Sequence, residues 1–342
     1  MPRAPEYDKI GAETVVERRS EMGLFLLKRS AEAGIVLLLG SLLCFAFIRI
    51  LPGDPAAAMY GEQLQKLSDA ERERIAVNLG LDEQLPVQYF KWAGQALQGN
   101  WGASYLSGEP ADAVVMRTFY PTAVLLIASQ LLLIGLALLF GITSAIRRNT
   151  FYDRTVLLFS VILMAVPSFW LALMMMLLFT IQMGVLPSSG MGDGTFSLKH
   201  LIMPALVLAL SHAGFYIRLF RNHLTLSAEQ DHIFALRARG ISKHRIWVSH
   251  IFPNAAVPLI TYTGTSLAIS LAGSIVVETI FSWPGMGRLA LKSALAHDYP
   301  VLLAIILLSM GFVIIVNLLS DLATAWIDPR LRQKVAGKEE RL

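Results

Sequence analysis

Six runs of apolar residues, each long enough to cross a bilayer, occupy 31–50, 121–146, 156–183, 201–220, 255–281 and 301–326. A hydrocarbon core about 30 Å thick takes a helix of roughly 20 residues and leaves no water to satisfy backbone N–H and C=O groups. Each run is therefore read as an α-helix, and the chain as an all-α integral membrane protein with six transmembrane helices. Composition agrees: 55% of the 342 residues are hydrophobic, 16% are charged, and the mean hydropathy is +0.56. The net charge of +4 lies in clusters between the runs, without a basic patch of interleaved aromatics. That pattern points to the lipid bilayer and away from nucleic acid as a partner.

The clusters also orient the chain. Arg18, Arg19, Lys28 and Arg29 precede the first run; Arg147, Arg148 and Arg154 fill the second connection; Arg237, Arg239, Lys243 and Arg245 fill the fourth; Arg330, Arg332, Lys334 and Lys338 follow the last run. The first connection instead mixes its cations with Asp54, Glu62, Asp69, Glu71, Glu73, Asp82, Glu83, Glu109 and Asp112. Cationic loops stay in the cytoplasm, so both termini are assigned there. The expected organisation is a cytoplasmic extension at 1–28, a transmembrane domain at 29–327 and a cytoplasmic tail at 328–342. Within the domain, 51–120 is a large external connection and 221–254 a cytoplasmic loop. The single cysteine, Cys44, has no disulfide partner and reads as a small packing residue. The first run lacks a small-residue cleavage signature and reads as a retained span.

In the external connection, Ser68 and Glu71 fit a capping box opening a helix through Ile75 and Val77 toward Gly80. A further turn after Pro86 places Tyr89, Phe90 and Trp92 at headgroup level. This connection is either a solvated loop with interfacial anchors or a docking surface for an external partner.

The stretch DHIFALRARGISKHRIWVSHIFPNAAVP at 231–258 is basic and partly apolar. Residues 231–240 suit a helix ended by Gly240 in the left-handed conformation, and Ser242 can cap a second short helix through Ile251. Ile233, Leu236, Ile246 and Ile251 then offer an apolar face for another protein. A helix lying on the membrane surface is the alternative.

This stretch resembles the EAA loop of ABC importer permeases, in the form found in the dipeptide, oligopeptide and nickel importer family. Asp231, Arg237, Ala238, Arg239, Gly240, Ser242, His250, Asn254, Ala255 and Pro258 carry the match, with Arg239 in the place of the usual lysine. His232, Leu236 and Pro253 depart from the pattern. Further elements are similar in order: RILPGDP at 49–55, LGLDEQLPVQYFKW and GNWGASY in the external connection, Pro167 with Phe169, and VLPSSG at 185–190. VVETIFSWPGMG at 276–287, HDYP at 297–300 and DPRLR at 328–332 complete the series.

The resemblance implies the type I ABC importer fold and a B-type permease subunit in a bacterial-type cytoplasmic (inner) membrane. It implies a second homologous permease, two ATP-binding subunits that carry ATP and Mg, and an extracytoplasmic substrate-binding protein. The cargo it implies is short peptides, nickel or another small solute. Asp231, Arg237, Ala238, Arg239, Gly240, Ser242, His250 and Asn254 become the ATPase-coupling residues. Pro52, Gly53, Asp54, Glu278, Pro284, Gly285 and Gly287 become residues of an external gate or loop.

Titratable residues inside apolar runs are functional candidates because hydrocarbon penalises charge. His212 is the candidate pathway residue, or else a neutral histidine hydrogen-bonded in the bundle. Glu278 shapes an outer gate or stands as a hydrated interfacial carboxylate. No GxxxxGK[ST] loop is present, so ATP would bind elsewhere; nor is there a His–Cys cluster, GxSxG or HExxH to suggest a metal site or an enzyme. A proton-coupled secondary transporter is the rival, although the second and third runs carry no titratable residue in their interiors.

Overall fold

A computed structural model describes residues 27–46, 83–192 and 197–327, with positions 23, 68 and 74. Apart from an isolated bridge between Ala103 and Pro110, the regular structure of these residues is helical. The helices are α1 (Leu27–Ala46), α2 (Leu85–Leu97), α3 (Ala111–Ile146), α4 (Phe151–Ala165), α5 (Ser168–Met175, continued by a π turn at Met176–Gln182) and α6 (Leu198–Ala228). They continue with α7 (Asp231–Ala238), α8 (Lys243–Ile280), α9 (Met286–Leu295) and α10 (Tyr299–Ile327). Pro52, Gly53, Asp54, most of the expected 68–80 helix and the 328–342 tail lie outside the described residues.

α1, α3, α6, α8 and α10 are each long and apolar enough to span a membrane; α4 and α5 together are apolar and long enough for a sixth span when counted as one, and are bent by 103° at the break. The run at 156–183 thus is not one straight helix. Val166 is extended (φ −82°, ψ 121°) ahead of Pro167, because the proline ring disfavours helical backbone in the residue before it. Apolar composition continues across the break, but the helix axis does not.

α8 also differs from expectation. No second short helix stands apart after Ser242; residues from Lys243 run into the fifth span through a π turn at Trp247–Ile251. Pro253 follows after Phe252, and the widened turn accommodates a residue that has no N–H and crowds the preceding carbonyls.

Small residues let the spans approach closely. A Cβ on Gly214 of α6 would overlap the carbonyl oxygen of Ser160 in α4, and one on Gly141 of α3 would lie 3.0 Å from the Phe220 ring. Around these contacts a core forms from Leu133, Ala137, Ala213, Tyr216, Phe220 and Leu224. α2 packs against α1: Tyr89 meets Phe45 edge-on and Trp92 meets it tilted, with centroids 5.6 and 5.5 Å away, and the Tyr89 hydroxyl meets Ser41 Oγ at 2.8 Å. Of the expected interfacial aromatics only Phe90 points outward, 73% exposed.

Candidate functional site

At one end of the bundle lie the Arg147–Arg148 turn, α7 and the start of α8, and this is the basic end. α7 closes with two hydrogen bonds that define a helix stop: Gly240 N–H to Arg237 C=O at 3.0 Å and Ile241 N–H to Leu236 C=O at 3.3 Å. Gly240 takes φ 77°, as the sequence suggested, and a Cβ there would meet nothing within 4 Å. Leu236 and Ile241, on either side of the stop, pack against the same core.

The apolar face of this segment is not left for another protein. Ile233, Ile246 and Ile251 are 0%, 2% and 0% exposed and join Phe220 and Leu224 in the core. The expectation is corrected because Ile233 of α7 and Ile246 and Ile251 of α8 meet the chain's own apolar surface, packing into one core with Phe220 and Leu224 of α6. What stays outside is a basic ridge: Asp231, Arg237, Ala238, Arg239, Gly240, Ser242, Lys243, Arg245 and Asn254 are exposed, and His250 is half-buried. Phe234 is 57% exposed, with the Arg237 guanidinium 5.7 Å from its ring centroid. Ser242 occupies the cap position of α8 but makes no side-chain cap hydrogen bond.

Behind the ridge is a polar cluster that the reading of the sequence missed. Asp153, 2% exposed, accepts from Arg221 Nη2 at 2.7 Å, Arg221 Nε at 3.2 Å and the Asn149 N–H at 2.9 Å, and also from the Ser144 hydroxyl. Arg148 pairs with Glu229 between α6 and α7. A signal was available: Thr150 followed by Asp153 is a helix-start pattern, and Thr150 Oγ1 does accept from Asp153 N–H at 3.4 Å. Nothing in the sequence marked Arg221 as its distant partner.

The opposite end is held by two buried carboxylates. Glu278, 0% exposed, accepts from the Thr122 hydroxyl at 2.7 Å and from the Arg288 N–H at 3.0 Å. Thr122 accepts in turn from Met286 N–H at 2.7 Å, and Trp283 Nε1 donates to the Pro121 carbonyl at 2.9 Å. Glu278 is therefore no hydrated interfacial group. The WPGMG turn wraps it so closely that a Cβ on Gly285 would overlap its carboxyl group and one on Gly287 would lie 2.8 Å from Ile275 Cα. Pro284 stays exposed at the apex. The carboxyl group sits at the start of α9, where it accepts from the Arg288 N–H, a first-turn donor without a partner inside its own helix.

Asp298 is the second clamp. It is 1% exposed and accepts from Ser104 Oγ at 2.5 Å and Tyr105 N–H at 3.0 Å, tying the turn before α10 to the loop between α2 and α3. Two motifs far apart in sequence, GNWGASY and HDYP, thus form one joint. His212 stays half-buried on α6 and makes no side-chain hydrogen bond with the described residues. Asp321 of α10 meets Arg29 of α1 at 3.1 Å.

Residues 137–333 match the family described as binding-protein-dependent transport system inner membrane component, and 22–127 match the corresponding N-terminal family. A protein of Brucella suis biovar 1 (strain 1330) named as a peptide permease is 36% identical over 304 residues, 87% of this chain and 95% of that protein. The oligopeptide transport system permease protein AppB of Bacillus subtilis (strain 168) is 33% identical over 317 residues, 91% of this chain and 99% of AppB. Among solved structures, a chain of the MetNI methionine ABC transporter in an inward-facing conformation superposes with a TM-score of 0.54 at 18% identity, covering 63% of this chain and 96% of that one. The fold is that of a type I ABC importer permease. The chain belongs to the binding-protein-dependent transport system inner membrane component family and is a membrane permease subunit of an ABC importer.

Proposed function

We propose that this subunit imports short peptides, as one of two homologous permeases served by two ATP-binding subunits and an extracytoplasmic binding protein. The basic end faces the cytoplasm, with both termini, and 221–254 is the coupling loop. ATP and Mg bind on the partner subunits. The observation that carries the reading is the ridge of Arg237, Arg239, Gly240 and Lys243, exposed where α7 meets α8, whose isoleucines are already committed to the core. The relatives' names supply peptides as the cargo.

The geometry supports a push-rod mechanism. Closure of the ATP-binding subunits presses on the ridge, where arginine forks suit acidic partners and Gly240 permits close approach. Ile233, Ile246 and Ile251 carry the push into α6 and α3, and Arg221 carries it through Asp153 into α4. At the outer end, the Glu278 and Asp298 joints bind α3, α8, α9 and α10 into a second unit that includes the external gate. ATP binding shifts a two-state equilibrium between these units.

Affinity purification of the tagged chain in mild detergent tests the assembly. Recovery of two nucleotide-binding proteins and a second permease supports it, whereas a single homogeneous chain supports the proton-coupled rival. Uptake of labelled peptide and of nickel, each with the cognate binding protein, then assigns the cargo.

A further inference from the structure

Arg218 is an exposed guanidinium within α6 that makes no ion pair among the described residues; its side-chain hydrogen bond there is Nη1 to Met164 Sδ at 3.9 Å. α6 and α4 run antiparallel, since Arg221 meets Asp153 while Gly214 backs onto Ser160. Met164 lies about 16 Å further along α4 than Asp153, at about 1.5 Å per residue. Side chains on a helix lean toward its N-terminus, which in α6 is the outer end. Arg218 therefore points toward the middle of the membrane, where snorkelling would have turned it to the cytoplasmic headgroups.

Helical spacing groups Ser211, Phe215, Arg218 and Asn222 on one face of α6. Phe215 is 43% exposed, and its ring meets that of Tyr262 on α8 edge-on at 6.0 Å, with Tyr262 40% exposed. A cation, an amide, a hydroxyl and two aromatic rings make a poor surface for hydrocarbon and a good one for a hydrated path. The anion that every short linear peptide carries, whatever its side chains, is the C-terminal carboxylate, and a guanidinium fork matches it with two parallel hydrogen bonds.

We propose that Arg218 receives the C-terminal carboxylate of the peptide in the cytoplasmic half of the pathway, with Phe215 and Tyr262 flanking the chain. This rests on the peptide reading and the orientation proposed above. The test uses the assembled complex in proteoliposomes and compares maximal import rates of a tripeptide with a free C-terminus and of its C-terminal amide, each saturating the binding protein. Arg218→Gln lowers the rate for the free acid about tenfold and leaves the amide at its wild-type rate, while Arg218→Lys keeps an intermediate rate. An equal fall for both forms, as from loss of a carboxylate contact in the partner permease, overturns the proposal, as does no fall at all.

A second measurement is independent of cargo. In a Cys44→Ser background, Arg218→Cys reacts with a water-soluble maleimide added from the cytoplasmic side; an inert cysteine would mean a dry face and would overturn the proposal. A wild-type complex that imports neither peptide form refutes the peptide reading itself, and the labelling result still reports whether the face is hydrated.

Discussion

Arg221 grips Asp153 through two hydrogen bonds, Nη2 to Oδ2 at 2.7 Å and Nε to Oδ1 at 3.2 Å, with the arginine side chain 14% and the aspartate side chain 2% exposed. The contact joins α6, which leads into α7, to the first turn of α4. Removing one partner of a buried pair strands the other charge, which costs about 3 to 5 kcal/mol. Asp153→Ala and Arg221→Ala should therefore each lower the melting temperature of the detergent-solubilised complex clearly, and the double variant should lose less than the two losses summed. Additive losses would show that the pair is not a unit.

Gly240 joins the two halves of the ridge in a left-handed conformation that costs a residue with a Cβ about 1 to 2 kcal/mol, although space for the side chain is open. Gly240→Asn should be well tolerated, since asparagine visits this conformation. Gly240→Glu puts an anion where acidic partner groups are expected, so it should leave membrane levels intact while detaching or uncoupling the ATP-binding subunits. Copurification and substrate-stimulated ATP hydrolysis check this; normal hydrolysis in the Glu variant would remove the ridge from the docking surface.

Glu278 should respond asymmetrically to its neighbours. Gly285→Ala drives a methyl group into its carboxyl group and Gly287→Ala presses on the α8 backbone, so each should destabilise the fold by about 1 to 3 kcal/mol. Pro284→Ala, at the exposed apex, should be near neutral in the same thermal assay.

Asp298→Ala leaves the Ser104 hydroxyl and the Tyr105 N–H without their acceptor, a loss of about 1 to 3 kcal/mol. The loop between α2 and α3 should then open more often and be cut by an external protease about tenfold faster or more, with the rate of cleavage in proteoliposomes as the readout.

The spans were legible because lipid imposes a length and a composition on any helix that crosses it. The stop at Gly240 was legible because glycine meets the need for positive φ without a steric penalty. The 103° bend was only partly so: Pro167 announced a disturbance, but apolar residues on both sides hid how far the axis turns. Ile233, Ile246 and Ile251 were recognised as an apolar face, yet sequence periodicity does not say against what, and they turned out to pack into the chain's own core with Phe220 and Leu224. Glu278 and Asp153 were harder still, because their partners Thr122 and Arg221 lie far away in the chain and only the packing of α3, α4, α6 and α8 brings them together.

The most direct test of the account is the energy source of transport by the purified complex in sealed proteoliposomes. Peptide should accumulate only when ATP reaches the side that bears the ridge and the binding protein is present opposite, and a protonophore should leave the rate unchanged. Accumulation driven by a proton gradient without ATP would contradict it.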